Sequence, residues 1–186
     1  MLHPQPSILT SVRRLLSSTE PPYLHLLDIS KSEAYDYARA LAQLSVATRV
    51  VRGSRMTSLS ALFDEFSAAL QFPGYFGENW PAFAECVRDL SWLPADGYGI
   101  MVVDSHLLLE DSNADFAILL KTLLRASAHW ARPIVEGEPW DRAAKPFHVV
   151  FQCERKTECA LVVKRFESVE IDLVPVSMLS EAGPTS

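Results

Sequence analysis

Residues 99–103 read GIMVV, five apolar positions with no polar interruption. A strand with one face in water alternates polar and apolar side chains, so an unbroken run this short suits a strand covered on both faces. That requirement implies a mainly parallel sheet between helical layers, and the neighbouring chain supplies pieces for it. Residues 22–29 (PYLHLLDI), 46–52 (VATRVVR) and 147–153 (FHVVFQC) read as further strands, and 169–175 (VEIDLVP) alternates like an edge strand before Pro175. Between them lie helical patterns. Ser30 with Glu33 is a capping-box signature for a helix over about 32–44, with Ala34, Ala38, Leu41 and Ala42 inward. Thr57 or Ser58 caps a helix carrying Leu59, Leu62, Phe63, Phe66, Ala69 and Leu70 at helical spacing. Ser112 with Asp115 opens a long helix to about Trp130, with Phe116, Leu119, Leu120, Leu123 and Ser127 inward. Strands separated by helices predict an α/β fold.

The chain of 186 residues, 48% of them hydrophobic, is long enough for one well-buried domain. No apolar run approaches the roughly 20 residues of a membrane span, and MLHPQPSILTSVRRLLSS has prolines and arginines where a leader would carry its apolar segment. A cytoplasmic protein with no membrane partner is expected. Cys86, Cys153 and Cys159 lack zinc-site spacing, so reduced structural thiols are expected, with no metal and no cofactor. There is no GxGxxG, P-loop, HExxH or GxSxG. Asp104, Ser105 and His106 are adjacent in sequence, which seldom gives the geometry of a triad. His25 and His148 fall in strands, where partners of backbone groups are expected rather than ligands. Residues 132–146, with an isolated Trp140, form a long loop that either binds something or covers the core. Residues 180–186 read as a frayed tail.

Charge is unevenly distributed. Between Asp64 and Asp115 ten acids face one base, Arg88, a net −9 in a chain of −6, so the remainder carries +3. Phosphate contacts need Lys and Arg, so this block argues against a nucleic-acid partner and for a cationic one. Solvated helix faces are the plainer reading of the same residues.

Within this block, residues 72–83 read FPGYFGENWPAF, a rigid and aromatic stretch where an ordinary loop is short and polar. Asn79 is placed to cap a following helix, with Pro81 in the first turn, where a missing N–H costs nothing. Trp80, Phe83, Ala84, Val87 and Leu90 share one face of that helix. Pro81, Glu85, Arg88 or Asp89 and, near its end, Trp92 lie on the other.

The order Tyr75-Phe76-Gly77-Glu78-Asn79-Trp80-Pro81-Ala82-Phe83, followed by Glu85 and Cys86, resembles the signature of the barstar family of intracellular ribonuclease inhibitors. The resemblance covers roughly residues 46–155. It implies a barstar-like layered fold, here with an added strand-helix unit over 22–45 and a helix/strand extension over 156–176 that ends in an edge strand. It also implies a non-enzymatic inhibitor, monomeric when free, that occludes the active site of a basic protein toxin or nuclease. On that resemblance the partner-binding residues are Tyr75, Phe76, Gly77, Glu78, Asn79, Pro81, Glu85, Asp89 and Trp92. Tyr75 is the base-site aromatic, Gly77 the close-approach backbone, Asn79 the cap that fixes the loop, and Glu85 the phosphate-mimicking carboxylate. Three positions depart from the pattern. Pro81 replaces a family Asp, Ala84 stands where the best-known inhibitor has Trp, and Glu85 is one methylene longer than the usual Asp. Two alternatives remain: immunity against a non-nuclease toxin through the same acidic face, and a small hydrolase using Glu78 and Glu85.

Overall fold

The computed structural model describes residues 6–42 and 45–176. In chain order the elements are α1 (Pro6–Leu16), β1 (Leu24–Asp28), α2 (Lys31–Leu41), β2 (Val46–Arg52), α3 (Leu59–Leu70), α4 (Trp80–Asp89), β3 (Gly97–Val103), α5 (Asn113–Trp130), β4 (Phe147–Cys153), α6 (Lys156–Ser168) and β5 (Val174–Pro175). The strands form one parallel sheet in the order β2-β3-β4-β1-β5. β3 and β4 are buried along their whole length, as the GIMVV run requires. Alternate side chains enter opposite layers. Ile100 and Val102 pack with Leu62, Phe83, Leu119 and Phe166 of α3 to α6, whereas Met101 and Val103 pack with Val12 and Leu15 of α1 and Tyr37 and Leu41 of α2. Each such apolar side chain contributes about 1.5–3 kcal/mol on burial. α1 approaches the sheet at Gly99, where a Cβ would stand 3.0 Å from Leu16 Cδ2.

The order of strands follows from the handedness of the connections. The chain leaves β1 for the far edge of the sheet and then returns through β2, β3 and β4. Right-handed crossovers running in opposite directions place their helices on opposite faces. Accordingly α2 lies in one layer and α3 to α6 in the other. The connections leaving neighbours β1 and β4 therefore part at the strands' carboxyl ends.

The predicted caps form. Ser30 Oγ accepts from Glu33 N at 3.2 Å while Glu33 Oε2 accepts from Ser30 N at 3.0 Å. Of the two candidates for α3, Ser58 is the cap, accepting from Ala61 N; Ser112 accepts from Asp115 N at α5.

Several expectations are corrected. The 169–175 strand shrinks to Val174–Pro175, because α6 runs to Ser168 and its end consumes the next N–H groups: Val169 N and Ile171 N donate to Phe166 O, and Glu170 turns left-handed at φ 56°. α2 ends at Leu41, short of residue 44; residues 43 and 44, like the tail at 180–186, lie outside the described residues. α1 was not foreseen. Cys153 and Cys159 are not free thiols: they form a disulfide from the end of β4 to the first turn of α6, while Cys86 is free and buried. His148 meets a backbone partner, Ser18 O, at 2.7 Å, but the partner of His25 is His148, at 3.1 Å. A carbonyl only accepts, so His148 Nε2 carries a proton and its Nδ1 receives the His25 Nε2–H. Burial lowers both pKa values, that of His25 to about 3, with His148 reinforcing the shift at His25. No helix among the described residues is long and apolar enough to cross a membrane.

Candidate functional site

The aromatic stretch is a loop with a packed floor and one exposed ring. α3 stops at Gln71, a left-handed C-cap, and Phe72 N donates back to Ser67 O at 2.9 Å. Phe72 then packs edge-on against Phe76 and Trp92, and Phe76 edge-on against Phe63. Trp80 lies against both Phe63 and Phe83, and Phe83 against Phe66. These offset and edge-to-face contacts each add about 0.5–1.5 kcal/mol beyond burial and leave the loop little freedom. Polar ties finish it. Phe76 N donates to Pro73 O, Asn79 Nδ2 to Gly77 O, and Asn79 Oδ1 accepts from Ala82 N at 3.0 Å, making the predicted cap of α4. A Cβ on Gly77 would meet Asn79 Nδ2 at 3.0 Å, so a small residue suits the close approach. Trp80 Nε1–H donates to Asp115 Oδ1, tying α4 to α5.

On this floor Tyr75 stands 76% exposed. Gly77, Glu78, Asn79, Pro81, Glu85 and Asp89 are also exposed, whereas Phe76 and Trp92 are half-buried. Trp92 is part of the floor, its Nε1–H donating to Leu70 O at 2.9 Å. Arg88 folds back along its own helix, donating to Ala84 O, and forms no ion pair with Glu85. No cation among the described residues pairs with Glu78, Glu85 or Asp89. The face around Tyr75 therefore carries three carboxylates without an ion pair among the described residues, and Arg88 is the one base beside them on α4.

Part of the larger acidic block is engaged within the fold. Glu65 holds Arg52, Asp104 holds Lys31, and Asp115 accepts from Ser112 Oγ and Trp80 Nε1. Asp104, Ser105 and His106 do not form a triad: Ser105 Oγ is buried and donates to Gln152 O, Asp104 accepts from Ser54 Oγ, and His106 lies 3.8 Å from Glu158. The 132–146 loop is ordered by Arg142, whose guanidinium stacks 4.2 Å over Trp130 and donates to the carbonyls of His129, Trp130, Arg132 and Ala143. Trp140 does not cover the core; it is 61% exposed.

Comparison with known proteins returned two kinds of likeness. The Aeropyrum pernix ORC2 protein in its ADP form superposes with a TM-score of 0.57 at 15% identity, over 90% of this chain and 46% of that one. Drosophila ORC bound to AT-rich DNA and Cdc6 gives 0.51 at 14%, over 91% and 53%. This chain spans about half the length of those structures, and the likeness is one of fold. No curated protein matches. A family model described as Barstar (barnase inhibitor) matches residues 46–152, which hold α3, the aromatic loop, α4, β3, α5 and most of β4.

Proposed function

Because the chain belongs to the barstar family, we propose that it inhibits a basic protein toxin, in the first instance a ribonuclease, by laying the Tyr75 loop and the outer face of α4 over the partner's active site. The observation that carries this reading is the exposed Tyr75 on a pinned loop, beside Glu78, Glu85 and Asp89 without a paired cation. An aromatic carried on a loop whose backbone is already ordered loses less entropy on docking than one on a floppy loop. Unpaired carboxylates beside it attract a cationic cleft and stand where substrate phosphates would. Gly77 allows close backbone approach, and Asn79 fixes the loop.

Pro81 narrows the reading. It is exposed at the first turn of α4, where the family resemblance calls for an Asp, so one charged contact is replaced by a rigid apolar one. This favours as a second reading a toxin that is not a barnase-type nuclease, met by the same face. Glu78 and Glu85 both stand exposed, a setting unlike the paired carboxylates that flank a bound sugar in a glycosidase. The ADP and DNA of the ORC structures are not carried over. The connection from β1 to α2 is only Ile29 and Ser30, without a glycine-rich phosphate cradle, and the proposed docking face is acidic.

The test is inhibition: the protein is mixed with a panel of small basic ribonucleases, barnase included, and residual RNA cleavage is followed. Stoichiometric inhibition of a panel member supports the first reading. Inhibition of none, with tight binding to a basic toxin of another activity, moves the proposal to the second. Turnover of substrate by the protein alone contradicts both.

A further inference from the structure

Between Asp115 and Glu136 the chain carries Lys121, Arg125, His129 and Arg132 and no carboxylate side chain, in a protein of net charge −6. Arg125 and Arg132 are seven residues apart, about two helical turns, so they come to the same side of α5 and its end. A groove of about 420 Å3 opens there, lined by Arg125, Ala128, His129, Arg132, Pro133 and Ile134. This volume lies in the ordinary range for small-molecule sites, and the lining mixes cationic and apolar groups without an acid.

Both guanidinium groups are free to bind. Arg125 and Arg132 are exposed, and neither side chain makes an ion pair or hydrogen bond among the described residues. The carboxylates that bound this stretch are engaged elsewhere. Asp115 accepts from Ser112 and Trp80 at the far end of α5, Glu136 Oε2 accepts from Trp140 Nε1 at 3.0 Å, and Asp141 accepts from the N–H groups of Glu136 and Gly137. Glu138 lies outside the groove's lining.

A helix C-terminus ordinarily repels an anion, because its last carbonyls point outward unsatisfied. At α5 a third arginine cancels that effect. Arg142, stacked on Trp130, donates to the carbonyls of His129 and Trp130, and Lys145 N donates to Trp130 O at 2.8 Å. Arg125 and Arg132 are therefore left over for a ligand. His129, half-buried on the groove wall, has its pKa lowered by burial first and then by the charges of Arg142 and Arg88, which marks the electropositive setting of the groove.

We propose that this groove binds a small organic anion, its phosphate or carboxylate group taken by Arg125 and Arg132 and its apolar body laid on Ala128, Pro133 and Ile134. A guanidinium fork matches the paired oxygens of either group, and the apolar lining separates such a ligand from a bare inorganic ion. The groove shares no residue with the Tyr75 face, so the proposal does not depend on the inhibitory reading.

The test titrates the full chain with naphthyl phosphate and with naphthoate at constant ionic strength, by calorimetry and by the NMR signals of Ala128, His129 and Ile134. Naphthol and inorganic phosphate serve as the two halves of the ligand. At least one naphthyl anion is expected to bind more tightly than either half, to shift those three signals, and to raise the His129 pKa by placing negative charge beside the ring. Response to naphthyl phosphate alone identifies a phosphate ligand, to naphthoate alone a carboxylate ligand, and to both a site for either group; each supports the proposal. Arg125→Gln and Arg132→Gln should each weaken binding by about tenfold, the scale of a lost charge-assisted bond, whereas Arg39→Gln, on α2 in the opposite layer, should not. Both groove arginines are exposed, so their variants keep the fold. No binding of either naphthyl anion, binding no tighter than that of its halves, or unchanged affinity in both arginine variants overturns the proposal.

Discussion

Replacing Phe83 by alanine removes the ring on which the aromatic loop and α4 both rest. Phe83 is fully buried and lies within ring-contact distance of Phe63, Phe66, Phe72 and Trp80. Truncating a buried Phe to Ala costs about 3–5 kcal/mol. The neighbours here are themselves large rings, fixed by one another and by the Trp80 and Trp92 hydrogen bonds, so the cavity closes poorly and the cost falls in the upper part of that range. A loss of about 4–5 kcal/mol is a large share of the 5–15 kcal/mol typical of a whole domain. For a chain of this size it lowers the melting midpoint by roughly 10–15 °C. Urea titration followed by tryptophan fluorescence, alongside a thermal scan, measures it. A loss below about 1 kcal/mol would refute the packing account, because it would mean that the ring is not what holds α4 to α3.

Three other perturbations bear on separate parts of the account. Glu85→Ala should leave stability within about 0.5 kcal/mol, since its exposed carboxylate has no partner among the described residues, and equilibrium unfolding checks this. Lowering pH should destabilise the protein through His25 and His148: burial holds both pKa values down in the fold, so the unfolded chain takes up protons first, beginning near pH 6.5. From pH 6.5 to 5 His25 alone should remove about 1.5 kcal/mol, and a His25→Phe variant with a flatter urea midpoint against pH would show it, while an identical pH slope would contradict it. Tyr75→Ala should chiefly accelerate dissociation from the inhibited partner, because an aromatic anchor acts after encounter; a variant slowed only in association would count against that role.

What could be read from the sequence was whatever depends on local spacing. β2 and β4 carry the bounds read for them, and Ser58, Asn79 and Ser112 cap the helices that follow, because periodicity and caps are properties of neighbouring residues. The motif singles out Tyr75 and Glu85, and both are exposed; that Trp92 is half-buried on the loop's floor is set by Leu70 and Phe72 across the loop, beyond local spacing. The net charge of the acidic block overstates its free charge for a related reason: Arg52 and Lys31, which pair with Glu65 and Asp104, lie outside it. The Cys153–Cys159 bridge was missed because six residues of separation do not reveal that α6 turns back over the end of β4. α1 carries a legible stripe in Ile8, Leu9, Val12, Leu15 and Leu16, at the spacing of an amphipathic helix.

The claim that this chain meets a cationic active site through the α4 face is tested most directly by stopped-flow association with the partner that the inhibition assay identifies. Raising salt from about 0.05 to 0.5 M should slow the on-rate by at least about an order of magnitude, as screening shortens the reach of the acidic face. Glu85→Lys should weaken binding far more than Glu167→Lys on α6, because only the first leaves cations of the partner buried and unpaired. An on-rate independent of salt, or equal effects of the two reversals, would show that Glu78, Glu85 and Asp89 are merely solvated charges.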